Sequence, residues 1–389
     1  MKQTNLTGSF SLVGVACSSH FYSLNRTAEA SEYRPRPGVL GLWAMLLIGL
    51  LLICGMLRAQ PLHHTPYNRF TVGQTWLDTK GDTINAHGGN IIENKGTYYW
   101  FGEKRDRHHS LGVSVYSSKD LYNWKPEGLA LAHSKDTTSD IAFGGIMERP
   151  KVVYNSKTKK FVMWFHVEVR GKGYGAAKVG VAVSKKITGP YKFVRSFRPN
   201  GNMSRDMTVF VDEDGSAYEI YSSKENYDLR IVQLTPDFLN VTTKDSLLFS
   251  NHREAPAVFK YQGKYYLITS GCTGWAPNQA SVRVADNLYG PWLLKGNPLK
   301  GKDSHISFYG QPAFILPVKT NVRSGSGNTR FIYMADRWNP KNLKDSRYQF
   351  LPVSLPGAVT GDGQQAATDN KNAAASTPIE IVWQDDWQL

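Results

Sequence analysis

From residue 80 onward, apolar and polar positions alternate with a period of two over short runs, the spacing of strands with one face buried. Turn signals bound these runs. NKGT, NSKTKK, DEDGS and YQGK each join two strands as a hairpin. A longer unit then repeats: a short strand, a turn, an aromatic strand, a strand of the type GVAVS, and a loop with Trp or Tyr leading into a last strand. ERPKVVYNSKTKKFVMWFHV with KVGVAVSKKITGPYKFVRS is one copy, and RDMTVFVDEDGSAYEIYSSK with LRIVQLTPDFLNVTT is the next. NAHGGNIIENKGTYYWFGEK, EAPAVFKYQGKYYLITSG and GQPAFILPV open the other three. Tyr98, Phe161, Tyr218, Tyr265 and Phe331 mark the second strand of each copy and recur roughly every 60 residues. Four strands per repeat at that period predict an all-β chain folded as a five-bladed β-propeller.

The fifth unit continues with RFIYMADRW, YQFLPVSL and IEIVWQDDW, and the last of these is expected to complete a blade and close the ring. KTNVRSGSGNT (319–329) reads as a hairpin extension, and the polar stretch at 356–378 reads as a loop. The other end of the chain has a different character. RPRP (34–37) precedes the uncharged run GVLGLWAMLLIGLLLICGML (38–57) and then RAQ. A basic flank, an apolar run and a small residue predict a signal peptide cleaved after Ala59, and hence an exported protein, periplasmic, on the cell surface or extracellular. The run is also long enough to span a bilayer, so an uncleaved anchor is the alternative. The chain thus divides into an N-terminal extension with leader, 1–59, and a propeller domain, 60–389. Residues 1–33 read as neither leader nor domain, as an over-extended start would.

Of the three cysteines, Cys17 and Cys54 lie in the leader region and only Cys272 in the domain, which excludes an internal disulfide and a paired-cysteine metal site there. The net charge of +14 is spread over turns such as NSKTKK, VSKK and NPLKGK. That is the pattern of a solvated basic surface, with an acidic polysaccharide as the other candidate partner; no nucleic-acid motif accompanies it. DEDG (212–215) is a fragment of a calcium loop without the remaining ligands and reads as a hairpin turn. No cofactor is expected, and no ligand set announces a structural calcium ion.

In a propeller the first strands of all blades start at one end of a central channel. The residues at those heads are His87, Glu148, Asp206, Glu254 and Gln311, one from each repeat. Carboxyls gathered there repel one another, so at least one should hold its proton near neutrality and serve as a general acid. A proton donor in an aromatic-lined pocket suits glycoside hydrolysis. The plainer reading of each head is a partner for a buried arginine, and Arg149, Arg205 and Arg253 stand beside three of them. Trp124, Trp275 and Trp338 are candidates either for stacking on sugar or for packing.

On these residues the chain resembles glycoside hydrolase family 43, whose members are five-bladed propellers. Asp206 in SRDMTVF matches the family's pKa-tuning position and Glu254 in REAP its acid. AHGGN places His87 where the family's usual pattern has an Asp base. In that departure the chain is similar to the exo-β-1,3-galactanase (galactan 1,3-β-galactosidase) branch. The resemblance implies that Glu148 and Gln311 join the acid at the cleavage point. It also implies substrate contacts from Glu103 of WFGE, Tyr174 of GYGAAKVG and Thr273 of GCTGW, and His87 is a further substrate-binding candidate. The expected substrate is an oligosaccharide or a plant-type polysaccharide, attacked with inversion. An α-L-arabinofuranosidase, a β-galactofuranosidase or a non-catalytic carbohydrate-binding propeller are the alternatives.

Overall fold

The structure, a computed structural model, describes residues 65–319, 329–355 and 378–389. The leader and anchor readings, Cys17, Cys54 and nearly all of the two turn-rich insertions lie outside these residues. Among the described residues, no helix is long and apolar enough to cross a membrane.

Alternation of apolar and polar residues folds the repeats into antiparallel sheets, each strand hydrogen-bonded to the next in sequence. Blade one consists of His87–Asn94, Thr97–Arg105, Ser110–Ser118 and Lys125–Leu131. Blade two consists of Ile146–Asn155, Lys160–Glu168, Lys178–Ser184 and Lys192–Phe197. Met207–Val211, Ala217–Ser223, Asp228–Leu234 and Val241–Ser250 make blade three. Blade four contains Arg253–Tyr261, Lys264–Gly271, Ser281–Ala285 and Leu293–Gly296. Among the described residues, blade five has three strands, Gln311–Lys319, Thr329–Arg337 and Arg347–Val353. The first strand of each blade packs on that of the next, and that of blade five returns to blade one. This ring is the five-bladed propeller expected from the repeats.

The last segment departs from expectation. IEIVWQDDW does not form a full fourth strand of blade five. Glu380 makes an isolated bridge to Ser354, Ile381–Val382 pairs in parallel with Leu299–Lys300, and Asp386–Trp387 pairs antiparallel with Phe70–Thr71. The segment covers three open edges in turn, where a regular strand would cover one. Its aromatic end still fastens the ring. The Trp387 ring lies 4.6 Å from that of buried Phe70, and its Nε1 donates to Phe350 O at 2.7 Å. Below that latch, Trp76, Trp100, Trp124 and Phe350 fill the seam between blades five and one. Trp124 is fully buried and serves packing.

A second regularity positions side chains. Ladder register slips just after the strand head in four blades, between His87 and Asn90, Glu148 and Lys151, Glu254 and Ala257, and Pro312 and Phe314. In three of them the residue after the head is left-handed: Gly88 at φ 63°, Arg149 at 53° and Ala255 at 54°. Such bulges turn the local backbone and re-aim the head side chain toward the axis or away from it.

The latch gives a stability test. Trp387→Ala should lower unfolding free energy by roughly 2–3 kcal/mol, somewhat less than a fully buried tryptophan. Denaturant unfolding measures it, and an unchanged midpoint would contradict closure by this segment.

Candidate active site

The strand heads converge on a cavity of about 320 Å³. Gly88 of blade one, Glu148 and Arg149 of blade two, Asp206 before blade three, Glu254 of blade four and Gln311 of blade five all line it. The expected quartet of Glu148, Asp206, Glu254 and Gln311 therefore shares one hollow.

Glu148 is clamped by three donors. Arg105 Nη2 reaches its Oε1 at 2.6 Å, the Tyr174 hydroxyl donates to the same oxygen at 2.9 Å, and His166 Nδ1 lies 3.1 Å from Oε2. Burial pushes the carboxyl up, but His166 and Arg105 outweigh it and hold it at about 2. His166 sits opposite Glu148 in the ladder, and its Nε2 faces Glu168 at 2.9 Å. Burial alone would deprotonate this imidazole. The two carboxylates instead raise it to about 9, so it is an imidazolium at neutral pH.

Asp206 pairs with Arg149 at 2.9 Å. The same guanidinium donates to Pro312 O at 2.7 Å and to Gln311 Oε1. Trp338 Nε1 also donates to Gln311 Oε1, at 2.9 Å, while Gln311 Nε2 donates to Glu254 Oε1 at 2.9 Å and to Ser270 Oγ at 3.2 Å. These four bonds fix which way the amide points.

Among the described residues, Glu254 receives no direct salt bridge. Besides Gln311, it meets the neutral Asn226 amide, whose Nδ2 donates to Oε2 at 2.9 Å, and the Cys272 thiol. Burial pushes the Glu254 carboxyl up and the Asp206 charge adds to that; Arg149 offsets only part, leaving it at about 8. Glu254 is thus biased toward its protonated form beside the ion-paired Glu148 and Asp206, a division of labour that suits acid catalysis.

The remaining expected contacts divide. Tyr174 and Glu103 line the cavity, Tyr174 through Glu148 and Glu103 with its Oε2 held by Arg105 Nε at 2.7 Å. Burial raises Glu103 to about 7, with Arg105 opposing. His87 does not line the cavity, contrary to expectation. Its bulge turns the ring inward, where it is fully buried, stacks 5.2 Å from Tyr348 and faces Asp336 Oδ1 at 3.1 Å; Gly88 takes its place on the wall. Thr273 also stays off the wall, because its hydroxyl closes its own loop on Ala276 O at 2.6 Å; Cys272 and Gly274 line the cavity on either side. Burial and the Glu254 carboxyl push the Cys272 thiol up to about 12, so it remains protonated.

Arg105, His166 and Asn226 escaped the sequence reading. The signal for His166 was present: a histidine inside the apolar strand FVMWFHVE, in register with a strand-head carboxylate. Arg149 was read as a partner for its neighbour, yet it serves Asp206 and Gln311 of other blades. Arg253 turns to Thr269 O and Gln279 O, and Arg205 to Glu225 and Tyr174 O. Trp275 and Trp338 both line the cavity, edge to face at 5.5 Å.

Ligand atoms of Glu148, His166 and Asp206 lie within 4.8 Å of one another, as in a metal site. Both His166 nitrogens already face carboxylates, and Arg149 holds Asp206, so protein cations match the negative charge there. DEDG is the hairpin turn expected, with Lys260 Nζ on Asp212 at 3.0 Å.

Comparison with known proteins agrees with this geometry. The family model for glycosyl hydrolases family 43 matches residues 85–319. A solved family 43 β-1,3-galactosidase in complex with galactodeoxynojirimycin is 42% identical with a TM-score of 0.73, covering 82% of this chain and 100% of that one. An exo-β-1,3-galactanase from Phanerochaete chrysosporium, solved with β-1,3-galactotriose, is 35% identical with a TM-score of 0.71 over 83% of this chain and 68% of that one. A curated β-xylosidase of Formosa agariphila is 25% identical over 59% of this chain. The chain spans about half the length of the curated relatives it matches. With its blades, its strand-head carboxyls and this match over most of the propeller, the chain belongs to glycosyl hydrolase family 43.

Proposed function

We propose that the chain is an exo-acting hydrolase of β-1,3-galactan that inverts the anomeric configuration. The observation that carries the reading is Glu254, a buried carboxyl raised to about 8 in a cavity formed by all five blades. A carboxyl in that state can protonate a glycosidic oxygen at neutral pH. The cavity volume, about 320 Å³, lies at the small end of ligand pockets, as suits a terminal sugar. Neighbours named for β-1,3-galactan chemistry share more identity with this chain, over more of it, than the xylosidases do. His87 stands at the head of blade one where the usual family pattern has an Asp, and Gly88 beside it leaves no carboxylate on that part of the wall.

The terminal sugar enters with its glycosidic oxygen toward Glu254. Proton transfer from Glu254 accompanies cleavage of the bond to the anomeric carbon, and the leaving chain departs as an alcohol. Water adds to the opposite face, loses a proton to solvent, and Glu254 regains one from solvent. Asp206 keeps the acid's affinity for its proton high. Gln311 already makes four hydrogen bonds, so it can orient the water only by giving up one; the 3.2 Å bond to Ser270 Oγ is the longest of them. Glu148, held at about 2 by three donors, is a poor proton acceptor; its fixed negative charge suits a sugar hydroxyl and the positive character that develops on the ring.

Four outcomes follow from this mechanism. Glu254→Gln should reduce turnover of β-1,3-galactan by about 10³-fold or more, and that of p-nitrophenyl β-galactoside far less, because nitrophenol leaves without a proton. Equal, small losses on both would refute the acid role. The activity of the free enzyme should fall as pH rises through about 8, when Glu254 ionises. Asp206→Asn removes a charge that favours the protonated form, so the alkaline limb should move to lower pH; an unmoved limb would show that Asp206 does not tune the acid. Proton NMR of the first product should show α-galactose, and initial β-galactose would exclude inversion.

A further inference from the structure

A second cavity, of about 470 Å³, flanks the catalytic one at blade five. Tyr309 and Arg337 line it, while Gln311 and Trp338 line the catalytic cavity. Arg337 and Trp338, adjacent in the chain, line different cavities. Residues 309 and 311 lie at most about 7 Å apart along the chain, so the two cavities are close neighbours.

The chemistry of this hollow differs from the first. Lys300, Lys302 and Arg337 face it with one carboxylate, Asp303, and three aromatic rings, Phe308, Tyr309 and Trp383. The two lysines come from the NPLKGK turn, part of the basic surface read from the sequence. Lys300 Nζ is turned to Asn297 O at 3.2 Å, and Lys302 is exposed. Arg337 is the centre. Its guanidinium lies 5.3 Å from the Tyr309 ring centroid and 5.6 Å from that of Trp383. Among the described residues it has cation–π contacts but neither a hydrogen bond nor an ion pair. The active-site arginines Arg105 and Arg149, by contrast, are each paired with a carboxylate. A half-buried cation with open donors, beside two further cations, is an anion position awaiting its partner.

The aromatic wall adds a second requirement. Tyr309 is 46% exposed despite its size and ends a run, Ser307 to Tyr309, at φ 54°, 56° and 67°. Bulky residues seldom adopt that conformation, and Gln349 Nε2 anchors the run through Phe308 O at 2.6 Å. An exposed ring held beside a stacked guanidinium suits a ligand with one flat apolar face and one anionic group.

We propose that this cavity is a second carbohydrate site, for an anionic sugar whose carboxylate or sulfate ester meets Arg337 and Lys302 while its ring lies on Tyr309. The site is independent of which neutral sugar the catalytic cavity cleaves. On an acidic polysaccharide it would hold a charged branch beside the point of cleavage.

Calorimetric titration of the full chain carrying Glu254→Gln, which separates binding from turnover, tests the proposal. The probes are methyl β-glucuronide, galactose 6-sulfate, neutral methyl β-glucoside, sodium acetate and sodium sulfate. At least one anionic sugar should bind about 10-fold tighter than the neutral one, as a charge-assisted contact allows, and more weakly at high salt. Preference for the glucuronide assigns a uronate, and preference for the sulfated sugar a sulfate ester. Adding Arg337→Gln should weaken that binding by about 10-fold, and adding the exposed Lys302→Ala should weaken it measurably. In the otherwise wild-type chain, Lys302→Ala should leave p-nitrophenyl β-galactoside hydrolysis unchanged. The proposal is overturned if the neutral sugar binds equally well, if acetate or sulfate alone binds as tightly as the anionic sugars, or if both variants bind like the parent.

Discussion

Carboxyls crowd the mouth of this propeller, and the buried cations there are unevenly shared. Arg105 and His166 are committed to Glu148, and Arg149 to Asp206. Glu254 is left with neutral donors, the amides of Gln311 and Asn226 and the Cys272 thiol. In a medium of low polarity an uncompensated carboxylate beside another negative charge is costly, and binding a proton relieves that cost. The acid is thus defined by what its neighbours lack. Replacing Asn226 or Gln311 with a cationic side chain would abolish the role even with Glu254 intact.

The ring supplies these unequal environments through a repeated local device. A bulge at the strand head, with a left-handed residue after it, turns one side chain toward the axis and sends the next across to another blade. Arg149 shows the consequence. Its φ of 53° costs about 1 kcal/mol, yet it lets one guanidinium connect blades two, three and five through Asp206, Gln311 and Pro312. The proposed acid, the carboxylate proposed to tune it and the amide beside it are therefore linked through one guanidinium and its partners.

Much of this was legible in the sequence. Period-two alternation and the recurring aromatic of the second strand specify five sheets, because those signals come from burial and hairpin closure within each repeat. Four of the head residues were found for the same reason: equivalent positions around an axis must meet. What escaped depended on departures from regularity. His87 occupies a head but its ring turns inward to Asp336, a partner 249 positions away. Thr273 satisfies its own loop. Arg149 pairs with groups of other blades, whereas adjacency in sequence suggested its neighbour Glu148. The closing segment is divided among three edges, which its alternation alone could not reveal.

The central claim concerns one proton, and it can be observed directly. Infrared difference spectra of the wild-type chain against Glu254→Gln, recorded across a pH series, isolate the carboxyl of Glu254. The account predicts a protonated-carboxyl band at neutral pH that disappears near pH 8. A carboxylate already ionised at pH 6 would contradict it.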